Sequence, residues 1–235
     1  MAVKKIVLDA GHGGTDSGAV GNGLKEKDIV LSIVQRTKKY LEENYSDVQV
    51  YLTRSTDKFV ELIDRSKFSN GINPACFVSV HINAATSAAA EGFEVYAYNG
   101  KISTATKNLQ LKVHDAIMKH APYFKSRGIP TANFSVLRNT AAPAILTESG
   151  FISNSDDAAI LKDSAKLQKI AEGHALGIAA AFALTKKPVT PPTSTTKYDY
   201  KVVVDTVNDK KEAEALKSSL EKLGYKFVSI EQVKA

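Results

Sequence analysis

The chain has 235 residues, 43% of them hydrophobic and 24% charged, enough apolar content for one sizeable core and a small addition. No run nears the roughly eighteen apolar residues that span a bilayer, so no membrane partner is expected. The net charge of +6 comes from Lys and Arg scattered along the chain, without interleaved aromatics and with no Trp, which argues against a nucleic-acid partner. The single cysteine, Cys76, lies in the apolar run Ala75-Cys76-Phe77-Val78 and reads as a small buried hydrophobe. The opening residues hold an apolar run of only three (Ile6, Val7, Leu8), too short for a signal-peptide core, so an ordinary export signal is not expected.

Taken in order, Ile6-Val7-Leu8 predicts a buried strand that stops at Asp9-Ala10-Gly11-His12-Gly13-Gly14 and presents an imidazole at its end. Neutral imidazole is the commonest protein ligand for zinc, and the glycines let the backbone turn tightly around it. Glycines at 13, 14, 18, 21 and 23 predict a loop. A helix follows over Lys27–Asn44, with Ile29, Val30, Ile33, Val34, Thr37 and Leu41 on one face and Glu26 at its entrance. Val48–Thr53 predicts a strand. Phe59–Asn70 predicts a helix, with Leu62, Ile63 and Phe68 as candidates for burial. Phe77–Ile82 predicts a third strand, again ending near a histidine, His81. Gly92–Tyr98 alternates like a strand, and Thr104–His120 reads as a helix. Phe134–Leu137 and Ala144–Glu148 read as two more strands, the second ending in an acid, before a long apolar-faced helix from Leu167 toward Leu184.

Strands alternating with helices predict an α/β layer structure with a mainly parallel sheet, in which ligands bind at the carboxyl ends of the strands. The domain boundaries follow: residues 1–185 as the main domain, a Pro/Thr-rich linker over 186–197, and a small β-α-β unit over 198–235. Within that unit Tyr200–Val204 and Tyr225–Ile230 are the strands and Asp209–Leu223 the helix. Its size makes it a poor independent core, so two copies could complete each other's sheet as a homodimer.

Three strand ends thus carry His12, His81 and Glu148, with Glu26 at the mouth of the glycine loop. Two imidazoles and a carboxylate are the ligand set of many catalytic zinc sites, and a second carboxylate beside the metal can move a proton. Asp9, close to His12, is a candidate to orient an imidazole, against a loop-capping role. Asn83 is a candidate substrate contact, against a turn cap. His114, His120 and His174 show no ligand spacing and read as structural or surface residues.

Four segments, Gly11-His12-Gly13-Gly14, Gly23–Lys27, Ser79–Ala84 and Thr147–Asn154, together resemble the zinc-dependent N-acetylmuramoyl-L-alanine amidases of the Amidase_3 family. That family holds bacterial autolysins and phage endolysins. The resemblance spans about residues 3 to 184, with the motifs in family order. It implies one zinc ion on His12, Glu26 and His81, Glu148 as catalytic acid/base, and peptidoglycan as substrate, cut between N-acetylmuramic acid and L-alanine. It also covers Arg127-Gly128-Ile129 and Val136-Leu137-Arg138 without assigning them roles. The C-terminal unit resembles one repeat of SPOR-like wall-binding modules, departing from them at Val204-Asp205-Thr206, where a Gly and an aromatic are usual. By family habit, the expectation is a chain that stays cytoplasmic until lysis or a holin-like route releases it to the cell wall, or one that is secreted. The alternatives are a zinc peptidoglycan peptidase, either carboxypeptidase or endopeptidase, and a non-catalytic wall-binding protein with a structural zinc.

Overall fold

The computed structural model describes residues 2–188 and 209–222, and the chain divides into two units, Met1–Pro188 and Val189–Ala235. The first unit begins β1 (Lys4–Ala10), β2 (Val20–Gly21), β3 (Leu24–Lys25), α1 (Glu26–Asn44), β4 (Val48–Leu52), α2 (Leu62–Ile72), β5 (Cys76–Asn83) and β6 (Phe93–Tyr98). It continues α3 (Thr104–His120), β7 (Ser126–Gly128), β8 (Thr131–Ala132), α4 (Ser135–Arg138), β9 (Ala144–Phe151), α5 (Ser155–Lys162) and α6 (Ser164–Phe182).

One sheet runs β4-β1-β5-β9-β6-β7, with β8 paired to β6. β4, β1, β5 and β9 are parallel, while β6 runs antiparallel to β9 and takes β7 and β8 with it. The architecture is therefore the expected α/β sheet, mainly parallel, with one reversed edge. Residues 6–10 of β1 are all buried, as they must be in a strand covered on both faces. Alternate residues serve different layers. Ile6 and Leu8 join Val78, Val80 and the α1 residues Ile29, Ile33 and Leu41 in the large core, whereas Val7 meets Phe77, Val136 and Leu146 in a smaller one.

α1 buries the face that its three- and four-residue apolar spacing predicts, and its first residue, Glu26, is buried too. α6 is capped by Asp163, whose carboxylate accepts from the Ala165 and Lys166 amides, a cap contributing about 1 kcal/mol. Gly177 lets α6 press against α3, since a Cβ there would stand 2.5 Å from the Val113 Cα. His174, on α6, is fully buried as a structural residue: Nδ1 donates to the Ile170 carbonyl at 2.8 Å and Nε2 accepts from the Thr147 hydroxyl at 2.9 Å.

Three expectations are corrected. Phe134–Leu137 is not a strand: the Phe134 carbonyl accepts from the Leu137 and Arg138 amides, closing the single turn α4. A four-residue apolar run carries no period long enough to tell the two apart. Leu62, Ile63 and Phe68 are exposed at 57%, 46% and 40%, because α2 buries Arg65, Ser66 and Ser69 instead. The glycine loop contains the short antiparallel pair β2–β3.

In the second unit, α7 (Lys210–Lys222) coincides with the expected helix, and Ala213, Leu216, Lys217 and Leu220 are its half-buried positions. The two strands expected there and residues 189–197 of the linker lie outside the described residues. Among the described residues no helix is long and apolar enough to cross a membrane.

Candidate active site

β1 delivers His12 just past its carboxyl end, β5 carries His81, β9 carries Glu148, and α1 opens with Glu26. His81 and Glu148 are direct neighbours in the β5–β9 register, and Glu148 faces Glu94 in the β9–β6 register. The topology thus brings together all four residues that the sequence singled out.

Glu26 is the hub. Its Oε2 lies 3.2 Å from His12 Nε2 and accepts from the Ala19 amide at 2.9 Å. Its Oε1 lies 2.9 Å from His81 Nδ1 and accepts from the Ile82 amide at 2.9 Å. Burial pushes the Glu26 carboxyl up, but the hydrogen bonds and charge of the two imidazoles win and hold it well below the usual range. Burial likewise works against a charged His12 ring, yet Glu26 and Asp16 hold its pKa above the ordinary value. Positive charge is favoured at this point.

Asp16 orients the ring. Its Oδ2 accepts from His12 Nδ1 at 2.8 Å, which leaves Nε2 facing Glu26. Asp9 does not orient an imidazole. Its oxygens are occupied by Thr53 Oγ1 at 2.6 Å, Arg65 Nη1 at 2.8 Å and Ser79 Oγ at 2.7 Å. Removing one partner of such a buried ion pair costs about 3–5 kcal/mol. Asn83 caps its turn through the Ala84 amide and donates to Glu94 Oε1 at 2.8 Å.

Space is as closely set as charge. The His12 and His81 rings meet edge to face with centroids 5.0 Å apart. A Cβ on Gly11 would stand 2.3 Å from His81 Cε1, and one on Gly18 would stand 2.6 Å from Glu26 Oε2. These two glycines are what let the side chains converge.

One donor atom from each of His12, Glu26 and His81 lies within 4.8 Å of the others. Zinc bonds of about 2.0–2.2 Å in tetrahedral geometry place ligand atoms about 3.3–3.6 Å apart, and each imidazole already stands within 3.2 Å of one of the two Glu26 oxygens. The donor set, its charge preference and its spacing therefore fit a divalent cation of the zinc type.

Glu148 lines the same cleft, of about 450 Å³, with a buried Oε2 that has no hydrogen-bond partner. Burial, reinforced by the charges of Glu26 and Glu94, pushes its carboxyl well above the usual range. Phe59, Leu62 and Phe134 form the apolar walls, which accounts for their exposure. A wider depression of about 650 Å³ along α1 holds Lys38–Glu42 and Lys39–Glu43 pairs that satisfy each other, so no convergent chemistry is left there.

Sequence reasoning missed Asp16, Glu94 and two buried arginines, Arg54 and Arg65. Arg54 follows directly on the strand Val48–Thr53, at the sheet edge where ligands bind, and that position was its available signal.

Comparison with known proteins agrees with this geometry. Residues 6–180 match the Amidase_3 family, described as N-acetylmuramoyl-L-alanine amidase. An endolysin of Bacillus phage SPP1 is 51% identical over 187 residues, covering 78% of this chain and 68% of its own. The N-acetylmuramoyl-L-alanine amidase CwlM of Bacillus licheniformis is 40% identical over 221 residues, covering 94% of this chain and 82% of its own. The catalytic domain of the N-acetylmuramoyl-L-alanine amidase CwlV of Bacillus (Paenibacillus) polymyxa var. colistinus superposes with a TM-score of 0.73 at 35% identity, covering 78% of this chain and 100% of that one. On fold, site and sequence together, the chain belongs to the N-acetylmuramoyl-L-alanine amidase family Amidase_3.

Proposed function

We propose that this chain hydrolyses the amide bond between N-acetylmuramic acid and L-alanine in peptidoglycan, with zinc held by His12, Glu26 and His81 and the proton moved by Glu148. The observation that carries this reading is the unpartnered, buried Glu148 Oε2 in the cleft that His12 and His81 also line, the two imidazoles that meet on the Glu26 carboxylate. Zinc held there would supply Lewis acidity, lowering the pKa of water to about 7 and polarising the scissile carbonyl. Three protein donors suit a catalytic centre, whereas a structural zinc closes with four.

Glu148 accepts the proton of the attacking water and returns it to the departing amine of L-alanine. Its raised carboxyl suits the second half of that duty, since a group that parts readily with its proton would be a poor acid for an amine. Asp16 keeps the His12 ring turned toward Glu26, and the apolar walls at Phe59, Leu62 and Phe134 shield the reacting bond from bulk water. By this reading the chain acts on the cell wall, and residues 198–235 form an appended unit that binds wall or pairs two copies. A monomer by light scattering at micromolar and higher concentration removes the pairing.

The test is digestion of purified walls with and without a chelator. New L-alanine amino termini should appear without new reducing ends, and only while the metal is present. Release of single amino acids or cut cross-links, with no L-alanine amino termini, would place the activity among the peptidases instead.

A further inference from the structure

We infer that Arg54 and Arg65 are positioning residues for the metal loop, two buried guanidiniums that hold the backbone at residues 10–12 so that His12 and Glu26 meet. The inference rests on the zinc reading above and concerns residues outside the donor set.

Where β1 ends, three consecutive carbonyls turn inward instead of entering the sheet ladder. The Ala10 carbonyl accepts from Arg54 Nε at 3.0 Å and Arg65 Nη1 at 2.6 Å. The Gly11 carbonyl accepts from Arg54 Nη2 at 2.8 Å, and the His12 carbonyl from Arg65 Nη2 at 2.8 Å. Buried carbonyls need such partners, and a planar fork reaches successive carbonyls from separate, rigidly spaced nitrogens where an ammonium offers a single nitrogen.

His12 itself has φ 60°, a left-handed conformation that a residue with a Cβ keeps only where its surroundings over-determine it. The Arg65 bond to its carbonyl is part of that determination. Arg65 is anchored in turn by Asp9, which Thr53 and Ser79 pin from the other side.

Arg54 makes the stronger case. It is 4% exposed, yet among the described residues it meets no carboxylate at ion-pair distance, so its buried charge is satisfied by carbonyls alone. One of those carbonyls belongs to Lys27, the residue after Glu26, at 2.8 Å from Arg54 Nη2. The same nitrogen therefore bonds the loop that carries His12 and the helix turn that carries Glu26.

R54K and R65K keep the charge and lose the fork. In the full chain, zinc affinity is measured by competition with a chromophoric chelator, and wall digestion is followed as zinc is added. Each variant is expected to bind zinc about 10–100-fold more weakly, as loss of outer-sphere support typically does. Its digestion rate should climb toward that of the parent as zinc rises, while the parent stays insensitive. Parental zinc affinity in both variants, whatever their melting temperatures, overturns the inference. So does the lack of any cooperative unfolding transition with or without zinc, since the arginines would then serve the whole fold. If the parent binds no zinc, the metal reading itself falls and takes this inference with it, a result distinguishable from the others.

Discussion

Replacing Gly18 by alanine perturbs the donor set without substituting any donor. Gly18 has φ +63°, and a Cβ there would fall 2.6 Å from Glu26 Oε2 and 2.7 Å from His12 Cδ2, where ordinary contact begins at 3.4 Å. Glu26 and His12, or the loop beneath them, must then yield by about 0.8 Å. Misplacement of about 1 Å at a reacting centre can cost about 100-fold in rate. Gly23 supplies the control: its φ is +75°, and a Cβ there meets nothing within 4 Å. Both substitutions carry the left-handed penalty of about 1–2 kcal/mol. In a domain of this size that lowers the melting temperature by about 2–8 °C. G18A and G23A should therefore melt a few degrees early, while only G18A loses zinc affinity and wall-digesting rate, by about 10–100-fold. Calorimetry, chelator competition and wall turbidity on the two variants side by side decide it. If G18A digests walls as fast as G23A, the packing argument for the donor set is wrong.

Other outcomes follow from the same geometry. E148Q keeps the shape of the side chain and removes its proton chemistry, so wall digestion should fall by about 100- to 10,000-fold while zinc affinity by competition stays at the parental value. Chelation should abolish digestion and lower the melting temperature, and stoichiometric zinc should restore both. An apo protein that melts and digests like the untreated one counts against any metal role. His174 gives a pH dependence. Burial pulls its pKa from 6.5 down to about 4, so the unfolded chain takes up a proton that the folded one refuses. Its contribution is complete above pH 6.5 and is lost as pH falls toward 4, about 3 kcal/mol in all. H174Q should flatten the fall in melting temperature across that window, and an unchanged profile would assign the acid sensitivity elsewhere.

The positions of the four site residues were legible because each ends or begins an apolar run: β1 before His12, β5 around His81, β9 before Glu148, α1 after Glu26. A parallel sheet then gathers its carboxyl ends whatever the sequence distance. What stayed hidden was polar. Arg65, Ser66 and Ser69 form the buried face of α2, so a search for apolar spacing put the wrong side of that helix inward. Asp9 looked like a histidine partner by proximity along the chain, but a guanidinium from α2 reached it first. The reversal of β6 leaves no mark in its own residues, since an alternating strand reads the same in either direction.

The donor set also dictates an order of assembly. On the zinc reading proposed above, Glu26 and His81 stand 55 residues apart and His12 comes from a third segment, so the full set of three donors exists only in the folded chain. On that reading, capture of the ion at three donors waits until β1, α1 and β5 have docked. The polypeptide would mature through a closed, unloaded form, and the supply of zinc would govern when it becomes lytic rather than whether it folds.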